Sequence, residues 1–342
     1  MRTFRHINAG SIEEACDLLN RYDGRAKINA GGSDLLLTLK DSILPEYPEA
    51  IINIKNIPEM DYISEDNNYI EIGSLATLDS ICRSDLLTLK YPLLVQAAKT
   101  VAGPQIRNMA TAGGNLLQDV RCWYYRYSSK IGGPVKCLRK GNGPCLAIKG
   151  DNRYHAIIGG NKCYAVCPSD MSTVLAALDA TLTLVSLKGE REISVQQLYS
   201  PMHLNIEKNE ILKKISFPVM DHLNKKQIFY KFTHRKPIDY AIVSLALITG
   251  IKEGVVEDVR IVLGAVACKP YRAWAAEEFI RGKVLDEKAA IEAAEKAVFE
   301  SRPLSKNGYK VKIAKSLIKK ALLYSLPNGN YPVPLNSLWI GN

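Results

Sequence analysis

The sequence contains no apolar run approaching the ~20 residues of a membrane-spanning helix, and its opening Met1-Arg2-Thr3-Phe4-Arg5 lacks the apolar segment of a secretory leader. A soluble cytoplasmic protein with no membrane span is expected. Histidine is scarce: His6, His155, His203, His222 and His234 are scattered and form no H-E-x-x-H, and no G-x-S-x-G occurs, so zinc-peptidase and serine-hydrolase chemistry have no anchor. Neither G-x-G-x-x-G nor G-x-x-x-x-G-K-[ST] is present, which argues against a Rossmann site and a P-loop. No C-x-x-C pair occurs either, although the chain has eight cysteines. In a reducing compartment these thiols favour ligation or burial over disulfides.

What is present suits a large soluble protein. At 342 residues and 47% hydrophobic content, the chain can bury two or three separate cores. Its formal net charge of +10 owes much to Lys306, Lys310, Lys312, Lys315, Lys319 and Lys320. Read as a helix from about Tyr309, this stretch puts Val311, Ala314, Leu317, Ile318, Ala321 and Leu322 on one face and lysines around the rest. Such a face is solvated or meets an acidic partner subunit. No aromatic residue interleaves the lysines from Lys310 to Lys320, so no nucleic-acid partner is expected.

Local signals alternate between helix and strand. Ser11-Ile12-Glu13-Glu14 is a capping box opening a helix over about 11–21. Strands follow at 27–30, 50–54 and 69–72, with helices from Leu78 and over about 91–101. Ser169 or Asp170 caps a helix containing Val174, Leu175 and Leu178, and 181–185 alternates as a strand. Beyond the polar stretch 221–227, strands near 228–233, 241–250 and 256–267 precede helices near 272–281, 286–300 and 308–324. The fold class is α+β.

Two loops and four cysteines could carry chemistry. Ala30-Gly31-Gly32-Ser33-Asp34 and Ala112-Gly113-Gly114-Asn115 each follow an apolar run. Paired glycines permit positive φ and close approach, so the two loops could form anion nests that share one pyrophosphate. Cys122, Cys137, Cys145 and Cys163 lie in one Gly- and Lys-rich stretch, separated by 14, 7 and 17 residues. They could converge on iron and sulfide or, alternatively, on structural zinc. Arg121, Arg126, Lys130, Lys136, Arg139 and Lys140 would offset the charge of a four-thiolate cluster, and His155 is a further candidate ligand.

An ordered set of motifs carries a resemblance. Ala30-Gly31-Gly32-Ser33-Asp34-Leu35, Ala102-Gly103-Pro104-Gln105-Ile106-Arg107-Asn108, Thr111-Ala112-Gly113-Gly114-Asn115-Leu116, Pro168-Ser169-Asp170 and Lys231-Phe232-Thr233-His234-Arg235-Lys236-Pro237-Ile238-Asp239 resemble the FAD-binding medium subunit of the xanthine oxidase family of molybdenum hydroxylases. The resemblance implies a two-part FAD-binding fold of the vanillyl-alcohol-oxidase type, residues 1–57 and 58–220, followed by a C-terminal domain at 226–330. It implies that Ala30 to Leu35 contact the pyrophosphate and that Thr111, Gly113, Gly114 and Asn115 form a second phosphate-side loop. Asp170 would lie at the ribose side, Lys231 near the isoalloxazine, and Arg107 against a phosphate or an acid. The segment 121–163 resembles the insertion of the 4-hydroxybenzoyl-CoA reductase β subunit, which implies a [4Fe–4S] cluster on Cys122, Cys137, Cys145 and Cys163, with Cys167 a spare thiol beside it. Implied partners are a molybdenum-cofactor-binding large subunit, a [2Fe–2S] small subunit and an external carrier, ferredoxin or NAD. The rival readings are a stand-alone flavin oxidase and a zinc-stabilised binding module.

Overall fold

A computed structural model describes residues 1–128, 135–235 and 238–326. Lys130, Lys236, Pro237 and residues 327–330 lie outside that range.

The N-terminal part builds β1 (Arg5–Asn8), α1 (Ile12–Tyr22), β2 (Ala26–Asn29), α2 (Leu35–Lys40) and β3 (Ala50–Asn53), with the strands parallel in the order β1-β3-β2. Ser11 caps α1 as expected, its Oγ accepting the Glu14 N–H at 3.1 Å. The Glu14 carboxylate reaches back to the N–H of Gly10 (2.7 Å) rather than to that of Ser11. Ile12, Ala15, Cys16 and Leu19 then face the sheet.

The next strands, β4 (Ile63–Asp66) and β5 (Tyr69–Gly73), lead into helices α3 (Leu78–Arg83), α4 (Asp85–Lys90), α5 (Pro92–Lys99), α6 (Pro104–Arg107), α7 (Ala112–Leu117), α8 (Trp123–Arg126) and α9 (Asp170–Ala177). After them come β6 (Thr181–Ser186), β7 (Gly189–Ser194) and β8 (Ile211–Pro218). These strands pair antiparallel in the order β4-β5-β8-β6-β7, so the last in sequence lies at the centre. Tyr91, fully buried, meets Phe217 edge-on at 5.0 Å, and its hydroxyl accepts the Met220 N–H. That bond satisfies the one polar atom on a large apolar ring.

The C-terminal part comprises β9 (Lys226–Phe232), β10 (Val243–Lys252), β11 (Val255–Gly264) and β12 (Tyr271–Arg272), then α10 (Trp274–Ile280), α11 (Glu287–Ala297) and α12 (Tyr309–Tyr324). The antiparallel sheet runs β12-β11-β10-β9, and α12 buries Ala314, Leu317, Ile318, Ala321 and Leu322. One expectation for α12 fails. Lys310 is fully buried rather than solvated, its Nζ donating to the carbonyls of His155 (3.0 Å) and Ala265 (2.6 Å). Lys315 and Lys319 are on the surface, paired with Glu295 and Glu287.

The cysteine stretch has little regular structure but is tied at both ends. Asn152 Nδ2 donates to Ser305 Oγ, its Oδ1 accepts the Lys306 N–H, and Asn307 Nδ2 donates to the carbonyls of His155 and Ala156. These bonds seat residues 152–156 on the segment that leads into α12. At its other end the stretch is held to the first glycine loop.

Candidate functional site

A cavity of about 500 Å³ is lined by the first glycine loop, by Thr111, Gly113 and Gly114, and by the segment from Tyr199 to Leu204. That size suits a bound cofactor. Both glycine loops therefore reach one cleft, but for different reasons. In the first loop Gly32 has φ 71°, the left-handed conformation expected of a nest, whereas Gly31 is required by space: a Cβ there would lie 1.9 Å from the Met109 carbonyl oxygen. The backbone N–H groups of Gly32, Ser33, Asp34 and Leu35 find no backbone acceptor among the described residues. They form an array of donors at the start of α2.

The second loop is not a nest. It is the first turn of α7, and its donors are satisfied internally: Ala112 N–H to Ala76, Gly113 N–H to Ser74, and Gly114 N–H to the Thr111 side chain. Its glycines permit contact, since a Cβ on Gly113 would lie 2.7 Å from that of Ser74. Asn115 turns away from the cavity and accepts the Ser169 hydroxyl at 2.7 Å, joining α7 to the cap of α9.

Three other site residues have protein partners that the sequence did not reveal. Arg107 Nη1 donates to the carbonyls of Lys99, Val101 and Ala102, closing the end of α5. Lys231 and Asp170 form a buried ion pair with each other at 2.7 Å, and Lys231 also donates to the Thr100 carbonyl. Asp170 borders a second cavity of about 260 Å³, which adjoins the first at Cys167 and Pro168 and has Trp123, Tyr154 and Tyr240 in its wall.

The Asp34 side chain is engaged within the protein. Its carboxylate accepts Arg126 Nη2 (2.8 and 3.2 Å) and the Asp119 N–H (2.8 Å) and pairs with Arg121 at 2.8 Å. Arg139 faces Asp119 at 3.6 Å, and the Tyr125 hydroxyl donates to the same carboxylate. Thus Arg121, Arg126 and Arg139, expected to offset the charge of a cluster, are engaged by acids. Lys140 lies electrostatically close to Cys137 and Cys122.

The cysteines gather without forming a ligand set. Cys137 and Cys163 share an apolar cluster with Ile43, Val120 and Tyr125, against which Cys122 packs, and Cys145 lies near Cys163. Among the described residues, no three His, Cys, Asp or Glu side chains are grouped to hold a metal ion. Burial pushes the Cys122 thiol up to about 11 and raises that of Cys163. His155 Nε2 lies 3.2 Å from Cys122 Sγ, while burial, with Lys310 nearby, lowers the imidazole to about 4. Cys167 is buried and hydrogen-bonded to Ser172 at 3.3 Å.

Two family models cover nearly the whole chain: the FAD binding domain in molybdopterin dehydrogenase matches residues 2–220, and the CO dehydrogenase flavoprotein C-terminal domain matches 228–325. The chain is 28% identical to the glyceraldehyde dehydrogenase medium chain of Sulfolobus acidocaldarius, over 93% of this chain and 96% of that one. It is also 28% identical to an Escherichia coli aldehyde oxidoreductase FAD-binding subunit, over 94% and 98%. Carbon monoxide dehydrogenase from Hydrogenophaga pseudoflava superimposes with a TM-score of 0.74 at 25% identity, covering 95% of this chain and 97% of that one. Among the described residues no helix is long and apolar enough to cross a membrane. Donor loop, cleft and matched domains together make the chain a member of the FAD-binding medium subunits of the xanthine oxidase family of molybdenum hydroxylases, an oxidoreductase subunit.

Proposed function

We propose that the chain moves electrons between an external carrier and the iron–sulfur centres of a larger molybdenum enzyme. FAD supplies the exchange of two electrons on one side for single electrons on the other. The protein binds and orients it. The observation that carries this reading is the row of N–H groups from Gly32 to Leu35 on the cavity wall, which suits the pyrophosphate, with Thr111, Gly113 and Gly114 lining the same cavity. Domains at 1–57, 58–220 and 226–330 belong to the same reading, as do a molybdenum-cofactor-binding large subunit, a [2Fe–2S] small subunit and ferredoxin or NAD as carrier. Such a chain purifies yellow, releases FAD on denaturation and copurifies with two other chains. Ser33→Asp, which puts a negative charge on the cavity wall, should weaken FAD binding about tenfold. An unchanged FAD affinity would remove the pyrophosphate from this loop.

The proposal extends to the insertion, by its likeness to that of the 4-hydroxybenzoyl-CoA reductase β subunit. The fit is partial: the donor chemistry suits a [4Fe–4S] cluster, and Cys122, Cys137 and Cys163 share one apolar neighbourhood with Cys145 near Cys163, yet they are not in a ligating arrangement. Cys122, Cys137, Cys145 and Cys163 would hold the cluster, a one-electron carrier when present. Iron and acid-labile sulfide are expected in anaerobically purified protein and should be lost in Cys137→Ser while FAD remains. Equal iron content in both proteins would reject the cluster.

A further inference from the structure

An acidic side chain in an anion-binding loop is anomalous. Asp34 belongs to the row of N–H donors that suits a pyrophosphate, and its carboxylate would repel the negative charge brought there. The structure places two cations on that carboxylate, and both come from the insertion. Arg126 Nη2 contacts both oxygens (2.8 and 3.2 Å), Arg121 contacts one at 2.8 Å, and these guanidinium side chains are only 13% and 20% exposed. Both arginines are otherwise held within their own segment or against the C-terminal part. Arg126 donates to the carbonyls of Val120 (2.8 Å) and Asp119 (2.9 Å), and Arg121, beside Cys122, lies over the Tyr240 ring at 4.8 Å. Asp34 Oδ2 also accepts the Asp119 N–H at 2.8 Å.

We infer that the insertion completes the flavin site electrostatically: Asp34 makes FAD binding conditional on Arg121 and Arg126 being in place, and bound FAD in turn holds residues 119–127 in order. The first half follows from charge, because a carboxylate stripped of its guanidinium partners opposes the pyrophosphate. The second follows from linkage, since a segment that raises the affinity of a ligand is stabilised by that ligand to the same extent. The inference rests on the pyrophosphate lying at the first glycine loop but not on any metal in the insertion.

The test is FAD affinity, read by flavin fluorescence on the full chain, for Arg126→Gln, Asp34→Asn and the pair together. Arg126→Gln should weaken binding about tenfold, and adding Asp34→Asn should restore most of it, because the exposed carboxylate is then gone. A merely structural role for Arg126 predicts no such rescue. Unchanged affinity in Arg126→Gln, or a loss that Asp34→Asn does not relieve, overturns the inference. Amide exchange of the unaltered chain gives a check free of mutation: added FAD should slow exchange in 119–127, and equal rates with and without FAD also overturn it. Ser33→Asp separates the two levels, since insensitivity there removes the pyrophosphate reading itself, whereas sensitivity there with none in Arg126→Gln removes only the inference.

Discussion

Lys231 and Asp170 show how a residue picked out by motif acquires a different physical meaning in the fold. Their side chains are 4% and 6% exposed, so each charge relies largely on the other, with the Thr100 carbonyl as a further acceptor for Lys231. Removing one partner strands a buried charge, and Lys231→Met should lower stability by about 3 kcal/mol in denaturant titrations, with a second change, Asp170→Leu, recovering much of the loss. Equal loss in the single and double variants would mean that the pair is not the stabilising unit. At this scale the sequence was legible in kind but not in partner. Gly31, Gly32 and Asp34 were identified as site residues, yet only Gly32 needs positive φ, and nothing local to Asp34 points to arginines 87 and 92 residues away. Nor does anything local to Arg107 point to the carbonyls that it caps, which are set by the turn after α5.

Elements were readable where a local signal coincided with burial. The Ser11 and Ser169 caps form, as do the apolar faces behind them. Missed were the edge strands β1, β4 and β7, none of whose residues is buried, the central strand β8, whose apolar run is broken by Lys213 and Lys214, and the six-residue helices α2 and α4. Edge strands bury neither face fully, so they carry no alternation to read. The α12 helix shows the opposite failure, since Lys310 fits the polar face by spacing and is buried by its position over His155 and Ala265. Full burial lowers its pKa to about 7, against about 10.4 in an unfolded chain. Between those values the unfolded state binds the proton and the folded state does not, so this group adds stability as pH rises, by up to about 1.4 kcal/mol per unit. Lys310→Met should therefore flatten the rise in unfolding free energy between pH 7 and pH 9. Parallel curves for the two proteins would show that the amine stays charged in the fold.

For the whole molecule, the order of motifs along the chain made the family legible, while the packing of the insertion was not. Residues 121–163 have few periodic apolar positions, and what fixes them is distant: Asp34 on one side, Asn307 and Lys310 on the other. Sequence suggested a loop folded around its own thiols, whereas the fold uses that loop as a brace between the N-terminal and C-terminal parts. The central place of β8 has a consequence for biosynthesis. Until Ile211–Pro218 has left the ribosome, β5 and β6 have no strand between them and the hydrogen-bonding edges they will share with β8 stand open. The nascent chain must therefore carry more than two hundred residues, the brace among them, before this sheet can close, a window in which chaperones and premature strand pairing compete for the same unpaired backbone.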